Sequence, residues 1–537
     1  MKNTKTHNKF KQLFHCIRLS AICGAFTGAF IFIFKLFASS IIFFSTKMYN
    51  LVRENLQYST YFFAGIIALA LLSFLILKLK PGCKGGGIPS AVTYIRGFVS
   101  FDWISSSFIL FFSALITFFA GIPLGNEGPS VQIGCAIGRG TTNIFGKKNK
   151  AFDKYIMTGG ASAGFATATG APLSSLIFSI EELHHRFSTT LFTSASVSIL
   201  SASLTMELLC LISGRDNHTF NFTISEILPT KYIWAAILVG IVSGFLAIGF
   251  TVIYKFFNNL LNHKMKKSPL AIKVILIFAI VGVLGLVSGR FIGTGHSIID
   301  ELIETHSLAF STFLICLVVR ALLLIFANNI GITGGLFIPS LAFGAIVGDL
   351  MSHLLISTGS VPQQYRLVLI VVGMASFLAA ASRIPMTAIA FSFEALSGLS
   401  NILPIAMGVV FAFLVIEFSG VASFSDTIVE SKISHSRKNK TLYSTDVHLT
   451  AKADAFAVGR ELRELLLPPS CIVISIEKVD IHSHIINEGD VIHLHYQTVT
   501  PTETFESLEA LFGKQDGDIA MKYVHISDNH YNIPETL

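Results

Sequence analysis

The sequence predicts an all-α polytopic membrane protein of broken, tilted helices, followed by a small cytosolic α+β domain. Three observations predict it: a shortage of charge, long apolar runs, and Gly/Pro interruptions that recur in both halves. Of 537 residues, 52% are hydrophobic and 13% charged, whereas soluble domains carry about 25% charged residues. The mean hydropathy is +0.66. Apolar runs cover Leu19–Phe44 (broken by Lys35), Tyr61–Leu77, Phe108–Leu124, Tyr232–Val252, Ile275–Gly289, Leu308–Phe326 and Pro404–Ile416. Crossing a bilayer as a helix takes about 20 mainly apolar residues. Some runs suffice alone, and the shorter ones predict broken or re-entrant helices.

The net charge of +7 does not indicate a nucleic-acid partner, because the basic residues sit between apolar segments. They cluster at Lys2–Lys11, Lys147–Lys150, Lys264–Lys267 and Lys432–Lys440. Short basic loops face the cytoplasm, which puts both termini in the cytosol, and the compact chain without a targeting peptide suggests a bacterial inner (plasma) membrane. The first apolar run reads as a mature helix, not a cleaved signal. Seven scattered cysteines form no CxxC pair and no His cluster, so no metal, disulfide framework or cofactor is expected. No nucleophile–base pair points to an enzyme.

The composition divides the chain into an N-terminal segment (1–17), a transmembrane domain (18–435), a polar linker (436–446), a small module (447–513) and a tail (514–537). In the module, Val458–Leu466 has helical spacing and ends at Pro468 and Pro469. Cys471–Ile476 and Val491–Tyr496 read as strands, with a turn at Glu488-Gly489-Asp490. Glu503–Phe512 reads as a final helix, and roughly the last 25 residues read as disordered.

The membrane part repeats itself. Gly85-Gly86-Gly87-Ile88-Pro89, Gly125-Asn126-Glu127-Gly128-Pro129 and Ala171-Pro172 are followed, 208 to 213 residues later, by Gly293-Thr294-Gly295, Gly335-Leu336-Phe337-Ile338-Pro339 and Ile384-Pro385. Paired interruptions of this kind mark secondary transporters. The pattern alone does not separate parallel from inverted repeats.

Three of these motifs, at 85–89, 125–129 and 335–339, join glycine to a proline at the start of a helical apolar stretch. Glycine allows close backbone approach, and proline is tolerated in a helix's first turn. The first-turn N–H groups lack intrahelical partners and in lipid need an acceptor. A small anion fits, and the helix dipole attracts it. Glu127 lies inside such a motif, and an acid at membrane depth is a functional candidate by default. Its carboxylate can occupy the anion's position, and protonation would release it.

These motifs resemble the CLC chloride channel/transporter family over roughly residues 18–435. GGGIP at 85–89 is similar to the family's GSGIP, GNEGP at 125–129 to G(K/R)EGP, and GGLFIP at 334–339 to GxFxP. Residues 159–182 and 373–395 support the match. The resemblance implies an inverted-repeat fold, a homodimer with one pore per subunit, and chloride or similar small anions and protons as the transported species. It makes Glu127 the gate and proton acceptor and Glu182 the internal proton-transfer residue. It places anion contacts at Gly86, Gly87, Ile88, Asn126, Leu336, Phe337 and Ser425. Three departures stand out: Gly86 replaces a serine, Asn126 a basic residue, and Ser425 a tyrosine. The expectation is H⁺-coupled antiport with loosened coupling, the alternative a passive voltage- or pH-gated chloride channel. The C-terminal module resembles the TrkA-C/RCK regulatory domain, which implies dimerisation or a small ligand.

Plainer readings compete. Glu127 and Ser425 would serve as helix caps. Glu182 would belong to a solvated cluster with Glu181, His184, His185 and Arg186. Arg320 and Glu394 read as structural, and His184 and His185 as interfacial.

Overall fold

The computed structural model describes residues 2–85, 87–146, 150–216, 219–220, 222–261, 268–304, 310–437, 440–476, 484–515 and 524–526. The first half holds helices α1 (Lys2–Glu54), α2 (Ser59–Leu79), α3 (Ile88–Arg96), α4 (Trp103–Phe119), α5 (Glu127–Phe145), α6 (Lys150–Thr169), α7 (Pro172–Phe178) and α8 (Thr189–Ser213). The second holds α9 (Ile233–Asn259), α10 (Leu270–Val287), α11 (His296–Glu304), α12 (Phe310–Ile330), α13 (Phe337–Ser357), α14 (Arg366–Ser382), α15 (Pro385–Ala395), α16 (Ile402–Ser419) and α17 (Phe424–Arg437). Among the described residues, nine helices are long and apolar enough to cross a membrane. Outward-facing Leu211, Ile212 and Phe418 supply an apolar surface for lipid.

The repeats are inverted, and the short helices α7 and α15 show it. Each begins with proline in its first turn. Glu394, late in α15, accepts hydrogen bonds from the Leu173 and Ser174 amides of α7, both at 2.8 Å, and from Ser174 Oγ. Glu181, just past α7, accepts from the Met386 and Thr387 amides of α15 at 2.9 and 2.7 Å, and from Thr387 Oγ1. Each acid thus satisfies orphan donors on the other helix. The end of each helix meets the start of the other, so the two run antiparallel. A two-fold axis along the membrane normal leaves related helices pointing the same way, so the axis lies in the membrane plane.

Close glycine contacts repeat in both halves. A Cβ on Gly134 of α5 would stand 2.1 Å from the Gly160 carbonyl oxygen of α6, and one on Gly344 of α13 would stand 2.4 Å from that of Gly373 on α14. Small residues let membrane helices pack backbone to backbone.

The C-terminal part forms an antiparallel sheet, in the order β2 (Cys471–Ile476), β3 (Val491–Thr498), β1 (Leu442–Thr450), β4 (Val524–Ile526), with helix α18 (Pro501–Phe512) beside it. Its core includes Leu449, Leu494 and Phe512, and it continues into Cys16 and Leu19 of α1 and Phe152 and Tyr155 of α6. Tyr155 Oη donates to the Glu464 carbonyl at 2.8 Å and accepts from the Leu466 amide at 3.2 Å.

That docking explains one departure from the sequence reading. The expected helix at Val458–Leu466 reduces to a single turn, Leu462–Glu464. Gly459 takes a positive φ of 83°, its amide and the Arg460 carbonyl bond to Ile486, and the Glu464 carbonyl and Leu466 amide bond to Tyr155. Residues 442–446, read as linker, belong to β1, whose alternating burial is that of a half-buried strand. In the tail read as disordered, 524–526 form β4; most of the rest lies outside the described residues.

Replacing Glu181 or Glu394 with Ala leaves two first-turn amides without their charged acceptor. Each substitution is expected to cost about 1.5–3 kcal/mol. Thermal unfolding in detergent should show comparable drops in Tm for both. A drop in one alone contradicts the reciprocal arrangement.

Candidate anion site

Two loops meet at the centre of the helical part. The Gly125 amide donates to the Gly335 carbonyl at 2.8 Å, and the Gly335 amide donates back at 2.7 Å. This two-bond bridge joins the loops that lead into α5 and α13. Only glycine fits at 128, because a Cβ there would stand 2.6 Å from Gly335 Cα.

Glu127 is the first residue of α5 and is 1% exposed. The backbone amides of Glu127 and Ile338, at the starts of α5 and α13, face its carboxylate. Its Oε2 has no hydrogen-bond partner among the described residues. A carboxylate therefore sits between two helix N-termini, where backbone donors and dipoles favour negative charge.

Next to this junction lies a cavity of about 30 Å³, room for one small ion or water. Four helices begin on its wall: α3 at Ile88 and Pro89, α13 at Leu336 and Phe337, α15 at Ile384, and α17 at Phe424 and Ser425. The opposing wall holds Phe178 of α7 and Glu182, which lies in a single π turn, Ser179–His184. Ser425 Oγ donates to Glu182 Oε1. A second cavity of about 480 Å³ borders Gly121 and Ile122, on the loop leading to Glu127, and its wall includes Arg53, Arg290 and His296.

The profile of the family described as voltage gated chloride channel matches residues 64–417. The chain belongs to this CLC family. Its fold is similar to that of a slow cyanobacterial Cl⁻/H⁺ antiporter, with a TM-score of 0.71 and 23% identity over 78% of this chain and 98% of that one. It is similar to a eukaryotic CLC transporter, with a TM-score of 0.64 and 21% identity over 78% and 74% of the two chains. A CLC-type fluoride/proton antiporter matches with a TM-score of 0.61 and 18% identity over 78% and 98%.

In this CLC chain, Ile88, Leu336, Phe337, Ser425 and Glu182 border one cavity. Gly87 stands apart from the expectation. Its amide donates to Gln132 Oε1 at 2.8 Å, which leaves it no donor for an anion. Asn126 precedes α5, and its side chain makes no capping bond; its carbonyl accepts from the Ser130 amide and hydroxyl. It is not on the cavity wall. Gly86 lies outside the described residues.

The plainer readings sort themselves. Ser423, not Ser425, caps α17, accepting from the Asp426 amide at 2.9 Å. Glu182 is 5% exposed, so it is no solvated charge. Glu181 is spent on α15. His184 Nε2 shares a hydrogen bond with Thr158 Oγ1 at 2.7 Å. Arg320 is fully buried and donates to the carbonyls of Arg290, Ile292 and Gly293.

Sequence reasoning missed two features. Ile384 brings a fourth helix start to the cavity, and its signal was the proline after it in the second repeat. Lys432 was grouped with a basic loop, yet its Nζ donates to the Lys84 carbonyl at 2.6 Å and to Ser90 Oγ at 2.7 Å. It lies seven residues, about two turns, after Ser425, a spacing that puts both on one face of α17.

Gly128→Ala is expected to force the two loops apart and break the Gly125–Gly335 bridge. Anion efflux from liposomes should fall at least tenfold per folded protein, the effect of about 1.4 kcal/mol or more. Unchanged efflux contradicts the steric account.

Proposed function

We propose that this CLC protein is an H⁺-coupled antiporter of chloride or a similar small anion, with Glu127 as gate and proton acceptor and Glu182 as internal proton donor. One observation carries the reading: two buried carboxylates flank the anion site, Glu127 at the helix N-termini and Glu182 on the cavity wall. A passive channel needs an anion path and a gate, but has no use for a second buried acid beside the cavity.

The mechanism follows from the geometry. Ionised Glu127 occupies the amides of α5 and α13 and excludes an anion from them. Protonation weakens its hold on those donors, and the carboxyl leaves. An anion then takes the amides, with Leu336 and Phe337 nearest the cavity. Return of Glu127 as a carboxylate displaces the anion and delivers the proton to the opposite side. Glu182 supplies protons from the side that carries the C-terminal sheet. The basic loops support a cytosolic position for that side.

The C-terminal α+β unit, residues 447–513, reads as a TrkA-C-like regulatory domain that senses a small ligand. The protein reads as a homodimer. Outward Leu173, Phe192, Met386 and Leu403, on α7, α8, α15 and α16, offer an apolar face for the second copy.

Flux through reconstituted liposomes tests the function, with chloride and proton movement followed together. Glu127→Gln is expected to abolish proton movement. Glu182→Gln is expected to abolish it while anion flux persists. The coupling ratio should fall below that of a tightly coupled exchanger, because Ser425 replaces a tyrosine at the cavity. Chloride flux without any proton movement in the unmodified protein overturns antiport in favour of the passive channel.

A further inference from the structure

Ser425 is the one side chain among the described residues that both bonds Glu182 and borders the anion cavity. A serine hydroxyl has a single proton to donate and can accept as well. That proton cannot serve Glu182 and an anion at once. An ionised carboxylate only accepts, so it holds the Ser425 O–H. A protonated carboxyl carries its own O–H, which can donate to Ser425 Oγ.

We propose that Ser425 is a protonation-controlled anion donor: ionised Glu182 holds its hydroxyl, and protonated Glu182 releases it towards the anion in the cavity. The inference rests on the antiport reading and assigns a coupling role to Ser425. The exchange is balanced. One proton binds Glu182 Oε1, the hydrogen bond between the two residues reverses direction, and the Ser425 O–H rotates into the cavity.

Three other charged groups face Glu182. Asp426, on α17, accepts from the Ser423 hydroxyl at 2.7 Å. Arg96, on α3, donates to the Leu183 carbonyl at 3.3 Å. Glu181, its own neighbour, holds the amides of α15. None of these charged groups borders the cavity.

Linkage makes the effect reciprocal: protonation of Glu182 tightens anion binding, and a bound anion favours the protonated form. Affinity therefore rises as pH falls through the titration of Glu182. Glu127 adds a pH dependence of the same sign, because its protonation vacates the helix N-termini. The test removes that contribution first.

Equilibrium binding of chloride to the purified full-length protein is measured by calorimetry from high to low pH in a Glu127→Gln background. The expected result is an affinity that rises about tenfold as pH falls, within the usual range for coupled sites. Adding Ser425→Ala should flatten the profile, and Ser425→Thr should restore it. Glu182→Gln should flatten it independently, which covers any failure of the alanine variant to fold. A merely structural Ser425 would shift affinity equally at every pH. A flat profile in Glu127→Gln alone, or an unchanged slope after Ser425→Ala, overturns the proposal. Binding and flux separate the two claims. Flat binding in the Glu127→Gln background with intact proton transport in the unmodified protein sinks the switch alone. Proton-linked binding without proton transport sinks the antiport reading alone.

Discussion

Helices that start inside the membrane leave their first amides without partners, and lipid offers none. The architecture around Gly125 and Gly335 follows from that one constraint. Two mutual hydrogen bonds between these glycines hold the starts of α5 and α13 together, and the absent side chain at 128 permits the approach. Once the two starts are fixed, their free donors converge on a single volume. A hydrogen-bond acceptor must fill it, and the helix dipoles favour a negative one. The Glu127 carboxylate does so here, and an anion competes on equal chemical terms. A selective site for negative charge thus arises without a fixed cation, which would bind an ion too tightly to let it pass.

The inverted repeat separates acids that serve the frame from acids that have no counterpart. Glu181 and Glu394 occupy equivalent positions and do the same work, each capping the other's helix. Two-fold symmetry preserves them because the frame needs both. Glu127 and Glu182 have no such counterparts. Phe337 stands at the position equivalent to Glu127, and Ala395 at that equivalent to Glu182. Transport needs direction, and direction requires the halves to differ. Of the two acids without counterparts, Glu182 borders the cavity and Glu127 begins the helix at the junction beside it.

The membrane fold was legible because its signals are local. Apolar runs, the Gly–Pro starts and the repeat offsets all survive in sequence, since lipid tolerates few alternatives. Glu127 stood out for the same reason: an acid in Gly125-Asn126-Glu127-Gly128-Pro129 has no ordinary place in a bilayer. What escaped depended on distant partners. The use of the Gly87 amide is set by Gln132, 45 residues on. Ser425 meets Glu182 across 243 residues. In the C-terminal part, the helical spacing of Val458–Leu466 was overridden by Tyr155 of α6. Strand β1 was hidden because Ser444, Thr445 and Asp446 at its start continue the polar, charged stretch that precedes it.

The same distant contacts join the C-terminal sheet to the ion site. Lys154 of α6 donates to the Leu467 carbonyl at 2.6 Å and to that of Arg96, at the end of α3, at 3.4 Å. Arg437, at the end of α17, reaches Ser470 Oγ at 3.3 Å. Both α3 and α17 begin at the anion cavity, at Ile88 and Ser425. They are therefore single rigid spans between the sheet and the cavity wall, about 14 Å long for α3 and about 21 Å for α17. The π turn that carries Glu182 is held from the same side, because the Arg96 side chain bonds the Leu183 carbonyl. Close-packed elements of this kind respond by shifting as units, not by bending. The wall that holds Ser425 against Glu182 thus has its footing in the residues that dock the C-terminal sheet, and the geometry of that hydrogen bond is set from both ends of α17.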